Sequence, residues 1–197
     1  MHEGVTPDDL VGFGDETRIT LHGTLARVIV PPGLDVRQVC QGQRDSVLLS
    51  LCVDGVYGTL SWRWIAGMAH EEILRALLHW NADGFDAVVW DNASSHLEDT
   101  VNAWGMPLVQ QPKYSPELNP AERVNEEIRR FLKGKTFRTL SEKVLAVENR
   151  LRYWKAHPAI IQQLCGYPWI HDCFALLDQV SPDSERRDFN REIRLAA

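Results

Sequence analysis

Residues 70–96 read HEEILRALLHWNADGFDAVVWDNASSH, and their order decides the fold class. Ile73, Leu74, Leu77 and Leu78 recur at helical spacing and Gly84 follows as a C-terminal stop, so the first half is predicted to be an amphipathic helix. Val88, Val89 and Trp90 then form a short apolar run that ends abruptly in Asp91, with Asn92, Ser94 and Ser95 behind it as turn and cap residues. Such a run reads as a strand buried on both faces. A helix feeding a buried strand is the building unit of a mixed α/β protein, with helices packed on a sheet.

The flanking segments extend that layout. Upstream, LVGFGDETRITLHGTLARVIV (10–30) alternates as one strand or as a hairpin around His22 and Gly23, and the prolines at 31 and 32 break the pattern. SVLLSLCV (46–53), a two-residue turn at Asp54 and Gly55, and VYGTLSWRWIAG (56–67) read as a hairpin in which Trp62 and Trp64 pack on a sheet face. Downstream, LEDTVNAWG (97–105) is predicted to be helical and MPLVQQP (106–112) a short strand. Helices follow at about 120–133 and 140–156, the second with Leu140, Val144, Val147, Leu151 and Trp154 on one stripe.

A chain of 197 residues suits one domain, expected here over 1–157, with 158–197 as a C-terminal helical extension. No apolar run approaches the roughly 18 to 20 residues needed to span a bilayer. The acidic start MHEGVTPDDL is unlike a secretory signal, which points to the cytoplasm. Cys40, Cys52, Cys165 and Cys173 lie far apart without a C-x-x-C pair and read as buried free thiols. The net charge of −6 is unevenly spread: residues 1–112 carry 6 Lys/Arg against 15 Asp/Glu, and residues 113–155 carry 11 against 6. The basic stretch offers a polyanion a docking surface, or serves only to solvate exposed helices.

Three carboxylates deserve weighing. Asp91 ends an apolar strand, where open α/β folds place their ligands, yet an aspartate there also caps helices. Asp15 ends the strand-like LVGFGD; its neighbour Glu16 must point to the opposite face, so the pair cannot act together. In PKYSPELNPAE (112–122), Pro120 suits the first turn of a helix and Asn119 becomes its cap. Glu122 then stands where a capping-box glutamate reaches back to the cap's N–H, a structural role that competes with any catalytic one.

Taken together, PKYSPELNPAERVNEEIRRFLK, the earlier VVWDNASSH and an early GFGDE resemble the DDE transposases of the mariner superfamily, especially their bacterial insertion-sequence members. The likeness runs over about residues 10–155. It implies an RNase H-like fold, a mixed five-stranded sheet flanked by helices. It also implies metal-dependent cleavage and strand transfer of DNA, with Asp15, Asp91 and Glu122 as catalytic residues and metal ligands, and Asn92 and His96 in support. Lys113, Arg123, Arg129, Arg130 and Lys133 are the expected contacts to DNA phosphates.

Like charges at about 4 Å repel by roughly 4 kcal/mol at an effective dielectric of 20, so a carboxylate cluster of this kind calls for cations. Oxygen ligands favour Mg²⁺ or Mn²⁺, and two ions can serve both the attacking and the leaving oxygen of a phosphodiester. The resemblance further implies transposon ends and target DNA as partners, a homodimer or larger assembly, no membrane, and a nucleoid-associated cytoplasmic location. Only 14 residues precede Asp15, so the helix-turn-helix reader of full family members is expected to be separate or missing. Asn125 stands where that family often carries a tryptophan. A non-catalytic, domesticated DNA- or protein-binding remnant, and an RNase H-like nuclease outside transposition, are the competing readings.

Overall fold

The computed structural model describes residues 9–23, 29–35, 37, 42–91 and 105–173. Five strands form one sheet: β1 (Val11–Thr20), β2 (Ser46–Val53), β3 (Leu60–Ile65), β4 (Ala87–Trp90) and β5 (Leu108–Gln110), in the order β3-β2-β1-β4-β5. β1 pairs antiparallel with β2 and β2 with β3, whereas β4 runs parallel to both β1 and β5. Helices α1 (His70–Ala82), α2 (Pro120–Leu132), α3 (Leu140–Lys155) and α4 (Pro158–Cys165) cover the two faces. No described helix is long and apolar enough to cross a membrane.

The strand β2 shows why SVLLSLCV is largely apolar rather than alternating. Leu49, Leu51 and Val53 join a core with Ala121, Val124 and Ile128 of α2, Val147 and Leu151 of α3 and Ile161 of α4. Leu48 and Cys52 face the other way and join Ile73, Leu77 and Trp80 of α1. A strand with both faces covered has no position left for polar alternation. The glycines of GFGD open room on the α1 side: a Cβ at Gly12 would sit 2.2 Å from Cys52 Sγ and 2.6 Å from the Phe85 ring. Gly12→Ala is therefore expected to lower stability by about 1–3 kcal/mol, read as a fall in Tm.

Several sequence expectations shift here. The segment 10–20 is one strand, and Leu21 and His22 then bend away. The β2–β3 connection is a six-residue loop, closed by Asp54 N–H donating to Thr59 O at 2.9 Å, rather than a two-residue turn. The Asp54 carboxylate accepts from Val56 N–H and Tyr57 N–H, which stiffens the longer loop. Gly55 lets the loop press against the end of α4, since a Cβ there would lie 2.4 Å from Cys165 O.

On α1 the buried stripe is Ile73, Ala76, Leu77 and Trp80, with Leu78 left 38% exposed, because the large Trp80 ring turns the helix toward Trp90. On α3, Lys143 rather than Val144 is buried; its ammonium donates to Thr20 O at 2.7 Å and His22 O at 3.3 Å. Trp62 and Trp64 do pack on the sheet face, and both indole N–H groups donate to Glu148 Oε2, at 2.8 and 2.9 Å. Cys52 and Cys165 are buried free thiols, whereas Cys173 is exposed and Cys40 lies outside the described residues. The segment predicted as a helix at 97–105 falls almost wholly outside them as well. Residues 158–170 contribute Ile161, Cys165 and Ile170 to the core shared with α2 and α3, and 174–197 lie outside the description.

Candidate active site

The sheet register brings the first two carboxylates to one cleft. Val11, Gly12 and Phe13 of β1 pair with Ala87, Val88 and Val89 of β4; Asp15 and Asp91 each lie two residues beyond the last of these pairs, and both line the same cleft. Both lie in step with Phe13 and Val89, and hence on the α2 side of the sheet. Asp15 and Glu16 do point to opposite faces. Asp15 Oδ2 accepts from Asn125 Nδ2 on α2, and Glu16 Oε1 accepts from Ser50 Oγ across β2.

Helix α2 delivers the third carboxylate. Pro120 opens the helix and Asn119 caps it, accepting Ala121 N–H at 3.0 Å through Oδ1. The other end of the same amide donates to Gly14 O at 2.9 Å, tying the first turn of α2 to the backbone immediately before Asp15. The Asn119 N–H donates to Pro116 O at 2.9 Å within the short turn Pro116–Leu118. That bond supplies the partner a capping-box glutamate would otherwise provide, so the cap itself does not require the Glu122 carboxylate.

Asp15, Asp91 and Glu122 line one open cleft of about 480 Å³ with Gln111, Lys113, Tyr114, Ser115 and Asn119. Gln111 N–H donates to Trp90 O at 2.8 Å, which carries the chain leaving β5 past Asp91 and sets Lys113 and Tyr114 at the rim. Tyr114 is 97% exposed there with φ +61°, a left-handed conformation costly for a side chain this bulky. Burial pushes the Asp15 carboxyl up to about 7, and the charge of Glu122 adds to the rise; the Asn125 hydrogen bond pulls the other way. An ionised carboxylate surrounded this way is short of positive charge. Among the described residues, no three His, Cys, Asp or Glu side chains are drawn together closely enough to hold a metal ion, although the three carboxylates share the cleft.

The remaining predicted residues divide. Lys113 lines the cleft. Arg129 donates to Thr17 Oγ1 at 3.3 Å and so leans over β1, whereas Arg123 pairs with Glu126 at 2.5 Å and Arg130 with Glu127 at 2.6 Å along the helix surface. Such exposed pairs contribute little to stability. Lys133 is exposed at the end of α2. Asn92 and His96 lie outside the described residues. Sequence reasoning missed the second role of Asn119, and it treated Asn125 only as a departure from a family pattern. Asn125 carried a readable signal: it is a polar residue on the stripe Ala121, Val124, Ile128 and Leu132, three positions after Glu122.

The family model of the DDE superfamily endonucleases matches residues 10–142, a span that holds all three carboxylates. The chain belongs to the DDE superfamily endonucleases. Among solved structures, a pre-cleavage Mos1 transpososome is similar with TM-score 0.62 and 16% identity, over 87% of this chain and 55% of that one. A Mos1 strand transfer complex gives 0.61 and 18%, over 85% and 52%, and a Mos1 mariner paired end complex with Mn gives 0.58 and 14%, over 85% and 55%. At these identities the likeness is one of fold: a mixed five-stranded sheet flanked by helices, RNase H-like as in the Mos1 transposase. The chain spans about half the length of those proteins. A comparison with curated proteins gives no match.

Proposed function

We propose that this chain is the catalytic domain of a transposase that cleaves DNA at transposon ends and joins the freed strand to target DNA. The observation that carries this reading is that Asp15, Asp91 and Glu122 line one open cleft in a DDE endonuclease, with Asp15 pushed up to about 7. Three carboxylates and a shortage of positive charge fit a hard divalent cation, Mg²⁺ or Mn²⁺, and the cleft is open enough for a DNA backbone. Asp15, Asp91 and Glu122 would hold the metal, proposed as two ions. Ions held there would supply Lewis-acid activation of a water or a 3′-hydroxyl and charge stabilisation for the leaving oxygen of the phosphodiester.

The protein's own part is positioning. Glu16 N–H and Asn125 hold the two oxygens of Asp15, the end of β4 presents Asp91, and the Asn119 cap fixes where Glu122 leaves α2. Lys113 at the rim meets a phosphate, and Arg129, with the ion-paired Arg123 and Arg130, extends a basic track along α2. Asn92 and His96 support the same site. Lys133 continues the track. A second copy of the chain acts on the second end, sequence recognition falls to a helix-turn-helix region, and the work takes place on cytoplasmic DNA.

The direct test is nicking and strand joining on supercoiled plasmid with Mg²⁺ or Mn²⁺. Activity that vanishes with a chelator and returns with metal supports the reading. Salt-sensitive DNA binding without any metal-dependent cleavage would instead mark a non-catalytic module, and cleavage without joining would mark a nuclease outside transposition.

A further inference from the structure

Asn125 is completely buried on the apolar stripe of α2, between Val124 and Ile128 of the core. A side-chain amide in such a place costs stability unless both of its ends find partners. Only one end does: Nδ2 donates to Asp15 Oδ2 at 2.6 Å, whereas Oδ1 is buried without a hydrogen-bond partner. An apolar side chain of the same volume would fill the position without that cost. The one bond Asn125 makes is short and charge-assisted, and it reaches a carboxylate of the cleft.

The other oxygen of Asp15 is also held. Oδ1 accepts Glu16 N–H at 2.8 Å, from the backbone of its own strand. Each oxygen therefore carries one N–H bond and keeps a lone pair, and the two bonds come from different elements. The Glu16 bond alone would let the carboxyl turn about its Cβ–Cγ axis; the second bond from α2 sets its plane. Glu122 and Asn125 lie three residues apart on α2, so the helix turn that presents Glu122 to the cleft also presents the amide that orients Asp15.

Resting on the metal-site reading above, we propose that Asn125 is a positioning residue for Asp15, fixing the plane of that carboxylate so that its free lone pairs face the cation in the cleft. It touches neither substrate nor metal and acts through Asp15 alone. Groups that orient a ligating carboxylate typically change metal affinity by 10- to 100-fold when removed.

The test measures Mn²⁺ affinity by calorimetry on the full chain, independently of DNA cleavage. Asn125→Leu, which keeps the branching and heavy-atom count but has no donor, is expected to weaken Mn²⁺ binding 10- to 100-fold, and Asp15→Ala to weaken it further. In the Asp15→Ala background the Asn125 change is expected to have no additional effect, because its route to the metal has gone. Wild-type affinity in a folded Asn125→Leu protein, alongside loss in Asp15→Ala, overturns the positioning role and leaves the metal site standing. Wild-type affinity in Asp15→Ala overturns the metal-site reading, and the positioning role with it.

A second measurement needs no substitution. The ¹⁵N side-chain amide signal of Asn125 in the unaltered protein is expected to move during a Mg²⁺ titration, with the midpoint seen by calorimetry. A signal that stays fixed while Mg²⁺ binds overturns the proposal.

Discussion

Asp91→Ala is expected to abolish metal-dependent DNA nicking, lowering the rate by about a thousandfold or more, with little change in Tm. The side chain is exposed just past the last residue of β4, so its removal leaves no cavity in the core. What it removes is one of three anionic walls of the cleft. Loss of an ion's share of transition-state charge stabilisation is worth several kcal/mol, and roughly 4 kcal/mol is a thousandfold in rate. The check is a nicking time course in Mn²⁺ with thermal melting of the same preparations. A folded variant that nicks at the wild-type rate removes Asp91 from the mechanism.

Asp15→Asn is expected to separate activity from stability: no cleavage, but a more stable metal-free protein at pH 8. The sign follows from linkage. The Asp15 carboxyl is pushed up from 3.8 to about 7 in the fold, so the native state holds a proton that the unfolded chain has released across that interval. Stability is then full below about pH 4, falls as pH rises through the interval, and is flat above about 7. A rise of this size corresponds to at most about 4 kcal/mol. The amide gains less, about 2 kcal/mol, because its own N–H must face one of the two donors that now hold Asp15.

The readout is Tm against pH for both proteins, with and without Mg²⁺. The buried Asp54, pushed up to about 6, slopes the same way in both proteins, so the difference curve isolates Asp15. Mg²⁺ is expected to raise the Tm of the native protein and leave that of Asp15→Asn unchanged. A parallel pair of curves would show that the Asp15 charge costs the fold nothing.

Residues 70–96 and 112–122 made the order of elements legible, because periodicity, caps and prolines are local signals, and they marked Asp91 and Glu122 as candidates with a capping role as the rival. Asp15 was legible only through the later motifs; nothing local to LVGFGD shows that it will face α2. The network around it was not legible at all. The bonds from Asn119 to Gly14 and from Asn125 to Asp15 join residues more than a hundred positions apart, and a sequence pattern carries no record of which helix face meets which strand. The β2–β3 loop shows a milder failure. Asp54 and Gly55 do mark the turn, but its length is set by close packing against the end of α4.

The most direct test of the central claim is a crystal structure of the protein with Mn²⁺, read from the metal's anomalous signal. A peak is expected in the cleft, ligated by oxygens of Asp15, Asp91 and Glu122, with Asn125 still bonded to Asp15. Mn²⁺ bound elsewhere, or held without Asp91 or Glu122 under conditions in which the protein cleaves DNA, would contradict it.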